Sequence, residues 1–218
     1  MASPLYGSWQ CDSPYDLVLA SLESIAPLTG TSEEDPLGFV VYTGDLVSHE
    51  GQNELSRAYV EYAEVSVFTL LKDYLHKVPV FAALGNHDGN PEAIDAPHTL
   101  PGNLSQQMSW NFAHVSKLWQ NNGWLNATAA EHARTHYGGY STKTQQGLRI
   151  ISFNTDFWYH SNFLNFINTS NPDVSGQLKW MIDELQAAED AGEPVWIVGH
   201  VLSGWDGSTY EHNFYETL

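Results

Sequence analysis

The sequence predicts an α/β fold, and three observations carry that prediction. Short apolar runs recur along the 218 residues, and each stops at a glycine. Between them lie longer stretches with apolar residues at helical spacing. The two patterns alternate, as they do when strands are joined by helical crossovers. Hydrophobic residues make up 42% of the chain and charged residues only 16%, a globular rather than a disordered composition. The length suits one domain with a real core, so residues 1–218 are read as a single domain.

The elements follow in order. Asp12-Ser13-Pro14 reads as a helix start, with a capping side chain and a proline in the first turn. Leu17, Leu19, Ala20, Leu22 and Ile25 supply its apolar face, and Pro27 to Pro36 reads as a loop. Phe39-Val40-Val41-Tyr42-Thr43-Gly44-Asp45 is the first expected buried strand. Residues 53–76 read as a long helix with Leu55, Tyr59, Tyr62, Leu71 and Leu75 at near-helical spacing. A second buried strand, 78–84, runs into Gly85-Asn86-His87-Asp88. The Pro-, Gly- and Asn-bearing stretch 85–104 is a long loop, a length that often serves function. Gln106 to Asn121 reads as a helix. Gly138 to Thr142 and Leu148 to Asn154 read as paired strands around Gln145-Gln146-Gly147. Residues 155–172 read as an aromatic loop, in which Phe157-Trp158-Tyr159 is assigned to packing rather than to binding a choline-like cation. Val174 to Ala191 is a helix stopped by Gly192 and Pro194, and Pro194 to Gly199 is the third buried strand, ending at His200.

Composition limits the functions. The formal charge is −18 with only eight Lys and Arg, so the basic footprint of a nucleic-acid binder is missing. The same balance disfavours docking on anionic lipid and repels a phosphate unless bound cations reverse the local field. No apolar run approaches the length of a transmembrane segment, and Met1-Ala-Ser-Pro has neither the basic start nor the apolar stretch of a signal peptide. Three Asn-x-Ser/Thr sequons, at Asn103, Asn126 and Asn168, nevertheless point to glycosylation and secretion of a parent protein. Cys11 is the only cysteine: either its disulfide partner is missing or it is a buried thiol.

The strand ends carry the chemistry. In open α/β sheets, ligands collect beyond the carboxyl ends of the strands. Asp45, Asn86 and His200 each follow a glycine there, so they are expected to converge on one rim. Carboxylate and amide oxygens mixed with imidazole suit zinc, manganese or iron. Singly, an Asp or Asn after a strand is a turn former; the motif context is what selects these two. Asp88 either orients His87 or caps a turn. His76, His98, His114, His132, His136, His160 and His212 lack such context and are read as surface residues.

Gly44-Asp45 with His49 four positions on, Gly85-Asn86-His87-Asp88 and Gly199-His200 together resemble three of the five motifs of the calcineurin-like metallophosphoesterases. Tyr6-Gly7, Cys11-Asp12-Ser13-Pro14, Gly138-Gly139-Tyr140 and Leu148 to Thr155 extend the resemblance, over nearly the whole chain, to the acid-sphingomyelinase-like phosphodiesterases, their fungal branch most. The resemblance implies a metallophosphoesterase-type α/β/β/α sandwich. The family's Asp-x-His and Gly-His-x-His motifs do not occur, so the chain is expected to be an internal fragment, incomplete at both ends, with exposed sheet edges that invite association and poor solubility.

The resemblance also implies a reaction: metal-dependent hydrolysis of a phosphodiester by metal-activated water with a histidine general acid. It makes Asp45 the ligand shared by two divalent metals, zinc being the expected ion, and Asn86 and His200 further ligands of one of them. That site keeps three ligands, and the other keeps only Asp45. His87 matches the general acid, and His49 is assigned to phosphate or leaving-group positioning. The substrate is a phosphodiester, with sphingomyelin, other phospholipids and nucleotide-like diesters all open. Two alternatives stand beside the enzyme: a catalytically inactive, truncated metal-binding fragment, and an extracellular glycoprotein module without metal chemistry.

Overall fold

Asp12-Ser13-Pro14 does precede a helix, but it does not cap it. In the computed structural model, which describes residues 5–167 and 170–202, α1 spans Tyr15–Thr29 with Pro14 at its N-cap and no capping side chain. The helix also runs through Pro27, where the sequence places the start of a loop. A proline this near the end forfeits one backbone bond without stopping the helix. Gly30, left-handed at φ 70°, ends it by donating its N–H to Ala26 O.

Strand β1 (Val40–Tyr42) pairs in parallel with β2 (Val80–Ala82), with Val41 opposite Phe81. The crossover is α2 (Arg57–Leu75), whose N-cap Ser56 accepts the N–H of Tyr59. Helix α3 (Ser109–Asn121) packs on α2 and on α4 (Ala127–Thr135). The sequence reading missed α4, a nine-residue, Ala- and Thr-rich helix without a wide apolar stripe. Its start is fixed by Asn126, whose side chain accepts the N–H of Ala129.

The second sheet has the order β3-β4-β5. Strands β3 (Tyr140–Lys143) and β4 (Arg149–Ser152) form the expected antiparallel pair. After α5 (Gln177–Ala191), β5 (Val195–Val198) joins β4 in parallel. Tyr140 Oη and Ser152 Oγ both donate to Ala82 O at 2.9 Å, which ties the two sheets together. Phe68, Phe81, Phe112, Trp119, Ile150 and Ile151 fill the core. Rings meet edge to face there, Phe68 with Trp124 at 5.6 Å for example.

Two expectations need correction. Only β2 is buried throughout; β1 is half-buried, and β5 exposes Trp196 (54%) and Ile197 (43%). Both strands line one open hollow, formed by Val41, Thr43 and residues 195–199, which leaves part of each apolar run uncovered. Residues 155–172 are also more than loop. They include two short 3-10 turns, Thr155–Trp158 and Phe163–Phe166, and Phe157 and Trp158 are buried in the core. Of the motif-free histidines, His76, His98, His136 and His160 are exposed, His114 and His132 are half-buried, and His212 lies outside the described residues. Among the described residues no helix is long and apolar enough to cross a membrane.

Candidate metal centre and its flanking imidazoles

The loops after β1 and β2 lie back to back. A Cβ on Gly44 would strike the Gly85 backbone, and one on Gly85 would strike the Asp45 carboxylate, so glycine is required at both positions. Asp45 is left-handed at φ 62°, a conformation an aspartate tolerates better than most residues. Asp88 holds the paired loops: its carboxylate accepts the N–H of Asp45 at 2.8 Å, of Leu46 at 2.7 Å and of Gly85 at 2.8 Å. Burial and the nearby Asp45 charge push the Asp88 carboxyl up to about 6, although the three N–H bonds oppose the rise. The sequence left this residue between two roles; it caps the turn that builds the site. Asp45 Oδ1 in turn accepts the His87 N–H at 3.0 Å, which aims the carboxylate.

His200 comes from the end of β5. The turn that carries it is seated by Thr155 Oγ1, which accepts the N–H of His200 at 3.2 Å and of Val201 at 2.7 Å. Its Nδ1 donates to Thr43 O at 2.7 Å. Its Nε2 lies 3.0 Å from Asn86 Oδ1 and 3.3 Å from Asp45 Oδ2. The three predicted residues thus meet at one point, from sequence positions 45, 86 and 200.

This donor set fits a divalent cation. An imidazole whose Nδ1–H is tied to a backbone carbonyl presents a bare Nε2, the usual arrangement of a metal-ligating histidine. A bare nitrogen facing two oxygens is repulsive unless a metal ion or a proton lies between them. Burial alone would lower the His200 pKa, but the Asp45 bond and charge outweigh it and raise it. Conversely, burial would raise Asp45, yet His200 and the His87 N–H bring it below its ordinary range. The set is sparse. Among the described residues no three His, Cys, Asp or Glu side chains come together as a metal-holding group, because the third donor here is an amide.

His49 and His87 stand beside this point, with ring centroids 4.1 Å apart. Asp45, His49, Asn86, His87, Glu92, Tyr159 and His200 all line one open cavity of about 440 Å³. His87 is buried, with Nε2 3.3 Å from Glu92 Oε1 and, among the described residues, no hydrogen-bond partner on Nδ1. His49 is exposed and leans on Asp12. Sequence reasoning missed Asp12, Glu92, Tyr159 and Thr155 as parts of the site. Asp12 had a visible signal, a carboxylate beside a resembling motif, but was read as a helix cap. A second, apolar hollow of about 330 Å³ between α1 and α2, lined by Leu22, Ile25, Leu37 and Leu75, holds none of these residues.

The sequence profile of the calcineurin-like phosphoesterases matches residues 11–218. The chain belongs to this family. As a calcineurin-like phosphoesterase it is 35% identical over 215 residues to a sphingomyelin phosphodiesterase of Homo sapiens, covering 99% of this chain and 32% of that protein. It is 32% identical over 211 residues to sphingomyelinase phosphodiesterase C of Dictyostelium discoideum, covering 96% of this chain and 43% of that one. A cyclic GMP-AMP phosphodiesterase of Homo sapiens is 31% identical over 202 residues, covering 92% of this chain and 40% of that protein. The phosphoesterase chain therefore spans about a third of the length of the sphingomyelin phosphodiesterase of Homo sapiens. Family membership brings dependence on divalent metal. Of the sequons, Asn103 and Asn126 are exposed and Asn168 lies outside the described residues.

Proposed function

We propose that this calcineurin-like phosphoesterase hydrolyses a phosphodiester of the sphingomyelin type, with Asp45, Asn86 and His200 holding a divalent ion, zinc first among the candidates. The meeting of Asp45 Oδ2 and Asn86 Oδ1 at His200 Nε2, on the cavity that His49 and His87 also line, carries this reading. An ion bound there supplies Lewis acidity toward a phosphoryl oxygen and makes an attacking water acidic enough to ionise near neutral pH.

The remaining chemistry belongs to side chains. The leaving alkoxide needs a proton, and His87 is the donor, its Nε2 lying 3.3 Å from Glu92 Oε1. Proton donation of this kind is typically worth about 10²–10⁴ in rate. His49, beside His87, binds the phosphate or the leaving group. Tyr159 forms part of the cavity wall.

The test uses the full-length protein, freed of metal with EDTA and reloaded with zinc or manganese. Hydrolysis of sphingomyelin and of a chromogenic phosphodiester is expected to vanish on chelation and to return on reloading. Asn86→Ala and His87→Ala are each expected to lower kcat at least ~100-fold. Full activity in both variants would refute the assignment.

A second reading is favoured by the sparse donor set. On it, the 218-residue chain alone binds one ion and turns over poorly. Elemental analysis giving one metal per chain, lost in Asp45→Ala, supports it; robust EDTA-sensitive turnover by the isolated chain refutes it. No metal in either protein would favour the glycoprotein module instead. We also propose that the parent protein is secreted and glycosylated at its sequons, which a mass shift on enzymatic deglycosylation would reveal.

A further inference from the structure

Outside the candidate metal ligands, the best-formed polar contact at the cavity is made by a residue with no assigned role. Asp12 sits before α1, and it reaches 37 positions along the chain to His49. Its Oδ2 accepts the His49 backbone N–H at 2.8 Å, and its Oδ1 accepts from the ring Nδ1 at 2.6 Å. The ring is therefore fixed at both ends: its Cα by the main-chain bond and its plane by the side-chain bond. The Asp12 side chain is 41% exposed, and the His49 side chain 66%. An exposed imidazole with no such partner rotates freely and, when neutral, carries its proton mainly on Nε2.

We propose that Asp12 is a positioning residue for His49: it holds the proton on Nδ1 and turns a fixed, bare Nε2 toward the cavity shared with His87. A carboxylate only accepts hydrogen bonds, so the ring nitrogen facing it must carry a hydrogen. The other nitrogen is then left to accept from, or on protonation to donate to, whatever enters the cavity. The Asp12 charge has a second effect. Two imidazoles 4.1 Å apart repel when both are protonated, and the carboxylate offsets part of that repulsion. Partial burial would raise the Asp12 carboxyl, but its bonds to His49 bring it below its ordinary range. Carboxylates that orient a metal-ligating histidine in this way typically matter about 10–100-fold in affinity or activity, and a similar effect is expected for His49.

The inference rests on the proposed hydrolysis for its catalytic consequence but not for its geometry, so the two are tested separately. In protein labelled with ¹⁵N in histidine only, two-bond ¹H–¹⁵N correlations distinguish a protonated ring nitrogen from a bare one. Neutral His49 is expected to show the Nδ1–H form in the wild type and mainly the Nε2–H form in Asp12→Asn. An Nε2–H form in the wild type would overturn the proposal whether or not the protein is an enzyme. In the full-length protein acting on a diester with an alkyl leaving group, Asp12→Asn is expected to lower kcat about 10–100-fold with little change in KM. The same substitution made in a His49→Ala background is expected to cost nothing further, and Asp12→Glu is expected to recover part of the loss. A full additional loss in the His49→Ala background would mean that Asp12 acts as a fold contact, and would also overturn it. Absence of hydrolysis in every form would count against the function, while the NMR result would still decide the role of Asp12.

Discussion

Asp88 is the residue on which the candidate centre hangs, although it is not itself a donor there. One buried carboxylate satisfies three backbone N–H groups, two in the first loop and one in the second. Removing it leaves those groups unpaired, at about 1–3 kcal/mol for each one that stays buried. Asp88→Ala is therefore expected to lose on the order of 3 kcal/mol, a fall in Tm of roughly 10 °C for a domain of this size. The metal-binding site should go with it, because Asp45 would lose its left-handed turn. Calorimetry and metal titration on the same samples check both halves; a variant with unchanged Tm and stoichiometric metal would show that the loops hold without this clasp. At this scale the sequence was legible in part. Asp45, Asn86 and His200 each follow a glycine at a strand end, a local signal. Asp12 and Thr155 act across 37 and 45 positions, so even the signal Asp12 carried could not name its partner, and Glu92, five positions after His87, lies in a loop whose course no periodicity reveals.

Helices α2 and α3 meet across an unusual pair. Glu64 is fully buried on α2, and among the described residues neither carboxylate oxygen has a hydrogen-bond partner. His114 on α3 brings its Nε2 to 3.4 Å. Burial, helped by the charges of Asp88 and Glu61, holds the Glu64 carboxyl well above its ordinary value of 4.5. Burial also lowers His114, which weakens that ring as a countercharge for Glu64. The sign follows from proton binding: the folded chain keeps this proton to higher pH than the unfolded chain does. Stability is complete below about 4.5 and is lost as pH rises toward and through the folded value. Glu64→Gln keeps the shape and cannot ionise. It is expected to pull ahead of the wild type in Tm as pH rises from 4 to 8, by about 2–4 °C for each kcal/mol gained. A constant difference across that range would mean that Glu64 is already charged and paired with His114. The position was open to reading, since Glu64 stands four residues from both Val60 and Phe68 on the buried face. By contrast α4 escaped because it is short and its buried face is made only of alanines, Ala129, Ala130 and Ala133, and its cap, Asn126, doubles as a sequon.

At the scale of the whole molecule, α/β alternation was plain in the sequence, whereas the burial of β5 was misjudged. Apolarity shows in a sequence; what covers it does not. Among the described residues, β1 and β5 each have one neighbour in their sheets, and on β5 both Ile197 and Trp196, which meets Phe39 edge-on, stay partly exposed. An apolar outer strand pairs readily with another chain. The formal charge of −18 opposes that contact by mutual repulsion, which reaches about 10 Å at 0.1 M salt and about 3 Å at 1 M. The 218-residue chain is therefore expected to associate more as salt rises, as sedimentation velocity would measure. Trp196→Lys separates the two effects. It moves the net charge toward zero, so if repulsion alone governed association, the variant would associate more. If the strand edge governs it, a charged side chain there blocks pairing and the variant stays monomeric at high salt. Equal or greater association of Trp196→Lys would place the contact elsewhere on the surface.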